Sequence, residues 1–259
     1  MADAVRAPGS SFAAQAAGEG PRWVAGVDGC KAGWVVVLQE LTSGRTAARV
    51  SPNISAVLSL VEAPTVIAID IPIGLLATAR VGGRSCEVSA RGLLPGRASS
   101  VFSSPTRAAL DAFRAGGSYR DVCVANRGGD AAAPGISQQA FGILGKISDV
   151  DLALTPAAQD RVREVHPELC FAEANAGPPM SHRKTRSAGR LERADLLARL
   201  GFAAPLQLLG ENLSKGAKPD DLLDACIACW TASRIARGTA IVLPGEDVDA
   251  RGLKMELWR

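Results

Sequence analysis

The run Trp23-Val24-Ala25-Gly26-Val27-Asp28-Gly29, followed by Trp34-Val35-Val36-Val37-Leu38 and later by Val66-Ile67-Ala68-Ile69-Asp70, decides the fold class. The first two apolar runs flank a glycine-bounded turn and read as a hairpin, and Thr46 to Val50 supplies a third strand. Val66 to Ile69 is β-branched without alternation, as expected of a strand covered on both faces. The chain therefore reads as α/β, and two of its strands run out into an aspartate.

Working outward, Ser51-Pro52-Asn53 opens a short helical pattern through Ile54, Val57, Leu58 and Val61, which Pro64 ends. From Cys86 to about Leu152 the pattern is helical and irregular, an insertion of helices broken at Gly116-Gly117 and Gly128-Gly129. Thr155-Pro156 reads as a helix cap, and Val162 to Pro167 as a strand stopped by its proline. Leu191 to Leu200 is an amphipathic helix, and Pro219-Asp220-Asp221 starts a longer one that runs to Gly238. Short strands are expected at Ala240 to Leu243 and Leu253 to Trp258.

Composition bounds the function. Of 259 residues, 47% are hydrophobic and 21% charged, which excludes a disordered or fibrous chain. A net charge of +3 is too small to hold nucleic acid by bulk electrostatics, so any such binding must be local. No apolar run approaches the roughly 20 residues of a membrane helix. Residues 1–21, rich in Ala, Gly and Ser, read as a flexible tail without a secretory signal, and 22–259 as a single domain. The six dispersed cysteines suit reduced thiols and a cytoplasmic location. Only Cys226 and Cys229 have metal-like spacing, but they sit in an apolar helical pattern with no second pair and read as buried thiols.

The informative constellation is Asp28, Asp70, Glu164, Asp221 and Asp224, each at a strand end or a helix start. In α/β sheets the carboxyl ends of central strands lie along one edge, so acids distant in sequence meet there. Several carboxylates in one crevice repel, and a hard cation such as Mg²⁺ or Mn²⁺ removes that cost. Asp221 and Asp224, three apart, share a helical face. Each acid also has a plain reading: Asp28 as a turn residue, Asp70 as a strand-end Asx turn, Asp220 and Asp221 as helix caps. Asp224 resists it, because it lies in the otherwise apolar run Asp-Ala-Cys-Ile-Ala-Cys-Trp.

Four ordered motifs carry a resemblance: Gly26-Val27-Asp28-Gly29-Cys30-Lys31-Ala32-Gly33-Trp34, Ala68-Ile69-Asp70-Ile71-Pro72-Ile73-Gly74, Glu164-Val165-His166-Pro167-Glu168 and Asp220-Asp221-Leu222-Leu223-Asp224-Ala225. Together they resemble the domain of unknown function 429 family, described as predicted nucleases with a ribonuclease H-like fold. The resemblance spans about Trp23 to Trp258 and implies three antiparallel strands followed by parallel ones, with helices on both faces.

It further implies that Asp28, Asp70 and Asp224 are the family's acids. Asp221-Leu-Leu-Asp224-Ala also looks like the paired acids of Holliday-junction resolvases, which makes Asp221 a fourth metal ligand. Glu164 would lie beside the second acid as a further ligand, with His166 as a proton donor or structural group. Lys31, Lys146, Lys184, Arg107 and Arg193 are candidate phosphate contacts, and His182-Arg183-Lys184 a basic segment for a nucleic-acid backbone.

The expected activity is two-metal hydrolysis of a phosphodiester in DNA or RNA. The alternatives are a non-catalytic or nucleotide-binding protein of the same fold and, further off, an actin-like ATPase or sugar kinase. Neither a second phosphate hairpin nor a Walker loop supports the last.

Overall fold

The computed structural model describes residues 22–210, 216–243, 245 and 248–259, so the tail expected at 1–21 lies outside it. Strands β1 (Trp23–Cys30) and β2 (Gly33–Glu40) form the expected hairpin, and β3 (Thr46–Ser51) pairs antiparallel with β2. The hairpin closes on Gly33, whose φ of +132° is disfavoured for other residues. A Cβ there would also lie 2.2 Å from the Ser51 carbonyl oxygen. Helix α1 (Ile54–Leu58) follows, its first turn capped by Asn53, which accepts from the Ala56 N–H at 2.9 Å.

Strand β4 (Val66–Ile69) lies parallel to β1, and β5 (Val162–Glu164) parallel to β4, giving a mixed five-stranded sheet in the order β3-β2-β1-β4-β5. Between β4 and β5 runs the helical insertion: α2 (Ser85–Gly92), α3 (Arg107–Arg114), α4 (Tyr119–Arg127), α5 (Gln138–Gly142), α6 (Leu144–Ala153) and α7 (Pro156–Gln159). After β5 come α8 (Pro167–Ala174), α9 (Ser187–Arg199) and α10 (Pro219–Ala236). A ribbon of β6 (Val242–Leu243) and β7 (Leu257–Trp258) is shorter than the strands expected there.

Pro167 corrects one expectation. It does not merely stop a strand, because its fixed φ and missing N–H suit the first position of a helix, and it opens α8 directly after β5.

Side-chain parity divides the core in two. On β1, Trp23, Ala25 and Val27 face α1, α3, α4 and α6, whereas Val24 faces α8, α9 and α10. On β4, Ile67 and Ile69 face the first layer, and Val66 and Ala68 the second. Helix α10 buries Leu222, Leu223, Ala225, Cys226, Ile227, Ala228 and Cys229 against the second face. It crosses β1 at Gly26, where a Cβ would stand 2.0 Å from the Cys229 nitrogen and 2.1 Å from the Ala225 oxygen. Only glycine permits that approach. All six cysteines are buried and free, Cys226 and Cys229 among them, and no described helix is long and apolar enough to cross a membrane.

Candidate active site

Parity also places the acids. Asp28 and Asp70 each follow a residue of the register pair Val27↔Ile69, so they stand side by side at the ends of β1 and β4. The Asp70 N–H donates to the Val27 carbonyl at 3.0 Å. Both positions fall on the α10 face, with Val24, Val66 and Ala68. The contact at Gly26 presses the Ala225 carbonyl onto β1, and this carries Asp224, the preceding residue, over the strand ends. Asp221 lies one turn earlier, half-buried. One of its oxygens, Oδ2, accepts from the Lys218 N–H at 2.8 Å as a helix cap.

Asp28 is only 8% exposed, yet among the described residues no group donates a hydrogen bond to its carboxylate or forms an ion pair with it. Burial and then the charges of Asp70 and Asp224 push its pKa well above the carboxylate range. Asp70, also without a side-chain partner, is pushed up to about 7, first by burial and then by Asp224 and Glu168, against the pull of Lys184. Burial raises Asp224 and Asp221 as well. The counter-charge is Lys184, whose Nζ donates to Asp224 Oδ2 at 2.5 Å, and Asp224 is the chief cause of its raised pKa.

As the side chains stand, no three His, Cys, Asp or Glu residues among those described are grouped tightly enough to hold a metal ion. Lys184 stands among the acids instead. The donor set nevertheless fits a divalent cation in kind and in charge. Its ligands are hard carboxylate oxygens, two of the carboxylates lack any partner among the described residues, and one ammonium faces several acids. Lys184 comes from a segment without regular structure and its side chain is 40% exposed, so it is free to withdraw.

Glu164 does not join this group, which corrects the expectation that it is a further ligand beside the second acid. It pairs with Ile69, and that residue points to the opposite side of the sheet. There the fully buried Arg84 donates to both its oxygens, at 2.8 and 2.5 Å, and the Ile73 N–H donates at 2.6 Å. Arg84 also binds Glu87 at 2.7 Å, so Glu164 is the anchor of a buried ionic network.

His166, the residue before α8, places Nε2 3.2 Å from the Ser100 carbonyl. A carbonyl only accepts, so the ring proton belongs on Nε2, which leaves Nδ1 a buried lone pair without a partner. Burial lowers the His166 pKa and keeps the ring neutral.

Lys146 approaches from α6, on the far face. Its Nζ donates to the Gly33 carbonyl at 2.6 Å and lies 4.5 Å from the centre of the Trp34 ring. Its pKa is lowered by burial, while Cys30, Asp149 and Asp28 oppose that shift.

Two expected phosphate contacts are spent elsewhere. Arg107 binds Asp151 and Asp249 at 2.7 and 2.6 Å, and Arg193, wholly buried, binds Glu168 at 2.5 Å. Lys31 is exposed beside the hairpin turn. The basic segment His182-Arg183-Lys184 lines a cleft of about 880 Å³, together with Arg97, Asp70 and Glu168. Arg97 ties that wall down, donating to the Met180 and Ser181 carbonyls at 3.1 and 2.9 Å. Glu168 is the acid that sequence reasoning left out; a proline-led helix directly after a strand is the signal that would have drawn attention to it.

A family model described as "Protein of unknown function (DUF429)" matches residues 26–249. The chain belongs to this family. The match takes in Asp28, Asp70, Glu168, Lys184 and Asp224, so every charged group of the cluster lies within the family's own span. Neither a curated protein nor a solved structure matches the chain.

Proposed function

We propose that the protein is a divalent-metal-dependent hydrolase of phosphodiester bonds in nucleic acid, with Mg²⁺ or Mn²⁺ held by Asp28, Asp70, Asp221 and Asp224. The mixed sheet, with acids at the ends of β1 and β4 and on the last long helix, is read as ribonuclease H-like. One observation carries the proposal. Asp28 is buried beside Asp70 and Asp224 without a single donor among the described residues, an arrangement that costs several kcal/mol unless a cation offsets it.

When bound, such an ion offsets the carboxylate charge, acidifies a water and stabilises negative charge on the phosphoryl oxygens. The chain's own groups do the rest. Arg183 and Lys184, on the cleft wall, meet phosphate oxygens of the strand and fix its register. His166, neutral and held through Nε2 at the Ser100 carbonyl, shapes the cleft floor. Lys146 pins the β1–β2 turn through Gly33 and so keeps Asp28 at the strand end.

The test is cleavage of labelled single-stranded, duplex, hybrid and branched nucleic acids with Mg²⁺, Mn²⁺ or chelator, comparing the unaltered protein with Asp28→Asn and Asp224→Asn. Metal-dependent cutting lost in both variants is the expected result. No cutting by the unaltered protein on any substrate would overturn the hydrolase. A second reading, a non-catalytic nucleotide- or nucleic-acid-binding protein, is favoured by the Lys184–Asp224 pair, in which an ammonium takes the cation's place. It predicts substrate binding that is indifferent to metal.

A further inference from the structure

We propose that Glu168 is a fifth acid of this site and that its free oxygen, Oε2, is a direct ligand of a divalent cation shared with Asp70. The inference rests on the metal-dependent reading above and adds to it a ligand from a different element, the first turn of α8.

The two oxygens of Glu168 have different fates. Oε1 accepts from Arg193 Nη2 at 2.5 Å. Arg193 is itself immobile: it is wholly buried, its Nη1 donates to the His182 and Gly189 carbonyls at 3.0 Å each, and its guanidinium lies 5.2 Å from the centre of the Phe171 ring. Oε1 is therefore committed. Oε2 is buried with no hydrogen-bond partner, in a residue only 9% exposed that lines the cleft with Asp70, His166 and Lys184.

A carboxylate clamped through one oxygen by a fixed donor, with the other left bare, is how outer-shell partners orient a metal ligand. Among the described residues no donor is bonded to Oε2, although Arg193 Nε and the Ser100 hydroxyl are themselves without partners. Nδ1 of His166 is a lone pair, because Nε2 faces a carbonyl, and Asp70 is an acceptor once ionised. Lys184 is taken by Asp224.

Charge points the same way. The carboxylates of Asp28, Asp70, Asp221, Asp224 and Glu168, when ionised, face the cations Lys184 and Arg193, which leaves an excess of negative charge that a divalent ion offsets. Glu168 raises the pKa of both Asp70 and Asp224, so its carboxylate is felt where the ion would sit. The bland alternative is a purely structural pair in which Glu168 serves only to neutralise Arg193. In that pair Oε2 and Arg193 Nε both stay without a partner, so the guanidinium engages one carboxylate oxygen and not the other.

Two measurements on the full chain decide it, with Mn²⁺ as the probe. In calorimetric titration, Glu168→Gln, whose amide oxygen still accepts from Arg193, is expected to bind Mn²⁺ at least tenfold more weakly than the unaltered protein. Binding within twofold would overturn the proposal. Crystals of the unaltered protein soaked in Mn²⁺ give an answer that does not depend on the variant folding: an anomalous peak within ligand distance of Glu168 Oε2 is expected. A peak on Asp28 and Asp70 with Oε2 beyond ligand distance would overturn the role of Glu168 and leave the metal-dependent reading standing. Neither peak nor heat would overturn both.

Discussion

In metal-free protein, Asp70→Asn is expected to raise stability at neutral pH. The Asp70 carboxyl titrates at about 7 in the folded chain, against an ordinary aspartate value of 3.8. Below pH about 4 both folded and unfolded chains hold the proton, and the residue makes no difference. Between about 4 and 7 the unfolded chain ionises while the folded one stays protonated, so stability falls as pH rises. Above about 7 both are ionised and the loss is complete.

About three pKa units correspond to about 4 kcal/mol as an upper bound. Proton sharing with Asp28 and Asp224 reduces this to about 2 to 4 kcal/mol, or roughly 5 to 15 °C in Tm for a chain of this length. The assay is thermal melting in chelator from pH 4 to 8, read as the difference between variant and unaltered protein. That difference is expected to be near zero at pH 4 and to grow to its full size by pH 7.5. Adding Mg²⁺ at pH 7.5 should raise the unaltered protein and move the variant less. Parallel melting profiles across the range would refute the picture of a buried, unpaired carboxylate at the end of β4.

Two further substitutions test the frame around the acids. Gly26→Ala puts a methyl 2.0 Å from the Cys229 nitrogen, so α10 must move off β1; a loss of about 1 to 3 kcal/mol in denaturant unfolding and weaker Mn²⁺ binding are expected together, because Asp224 rides on that helix. Lys184→Met removes the ammonium that competes for Asp224. Because the lysine is 40% exposed, the pair contributes only about 1 kcal/mol, and calorimetry should show Mn²⁺ binding about fivefold tighter, with weaker retention of a phosphate-backbone ligand.

The hairpin, the first four strands of the sheet and the long final helix were legible because each has a local signature: β-branched runs, glycine turns, a proline-led acidic start. Asp28, Asp70 and Asp224 were legible for the same reason, being acids at the ends of apolar runs or stranded within one. Glu164 was misplaced because a strand end fixes position along the sheet but not the face. Its face depends on the register with Ile69, a pairing across 95 residues of chain that no local pattern reveals.

Arg107 and Arg193 read as phosphate contacts near motifs, yet both lie in pairs whose partners come from other elements, Asp249 and Glu168 among them. Buried arginines are invisible to composition because their burial is set by tertiary partners. Arg84 is the extreme case, reaching Glu164 across 80 residues. Glu168 escaped notice because Pro167 has two meanings, strand stop and helix start, and only the second brings the acid to the cleft.

The placement of these ion pairs bears on why the cluster survives. Arg84 and Arg107 satisfy acids away from the ends of β1 and β4, and Arg193 holds one oxygen of Glu168, so these carboxylates are neutralised by arginines. At the strand ends that rule is broken: among the described residues Asp28 and Asp70 have no side-chain partner, and the only described cation bonded to Asp224 is a half-exposed lysine on an irregular segment. A fold able to provide buried arginines for Glu164 and Glu168 but leaving Asp28 bare has put its electrostatic strain at one place. A ligand that binds the folded chain there returns stability by mass action, about 2.7 kcal/mol at a hundredfold excess over its Kd, which is comparable to the penalty carried by Asp70. On the proposed metal-dependent reading, binding at this edge and folding of the sheet that forms it are thereby linked, and a cation that relieves the acids would free Lys184 to face the cleft.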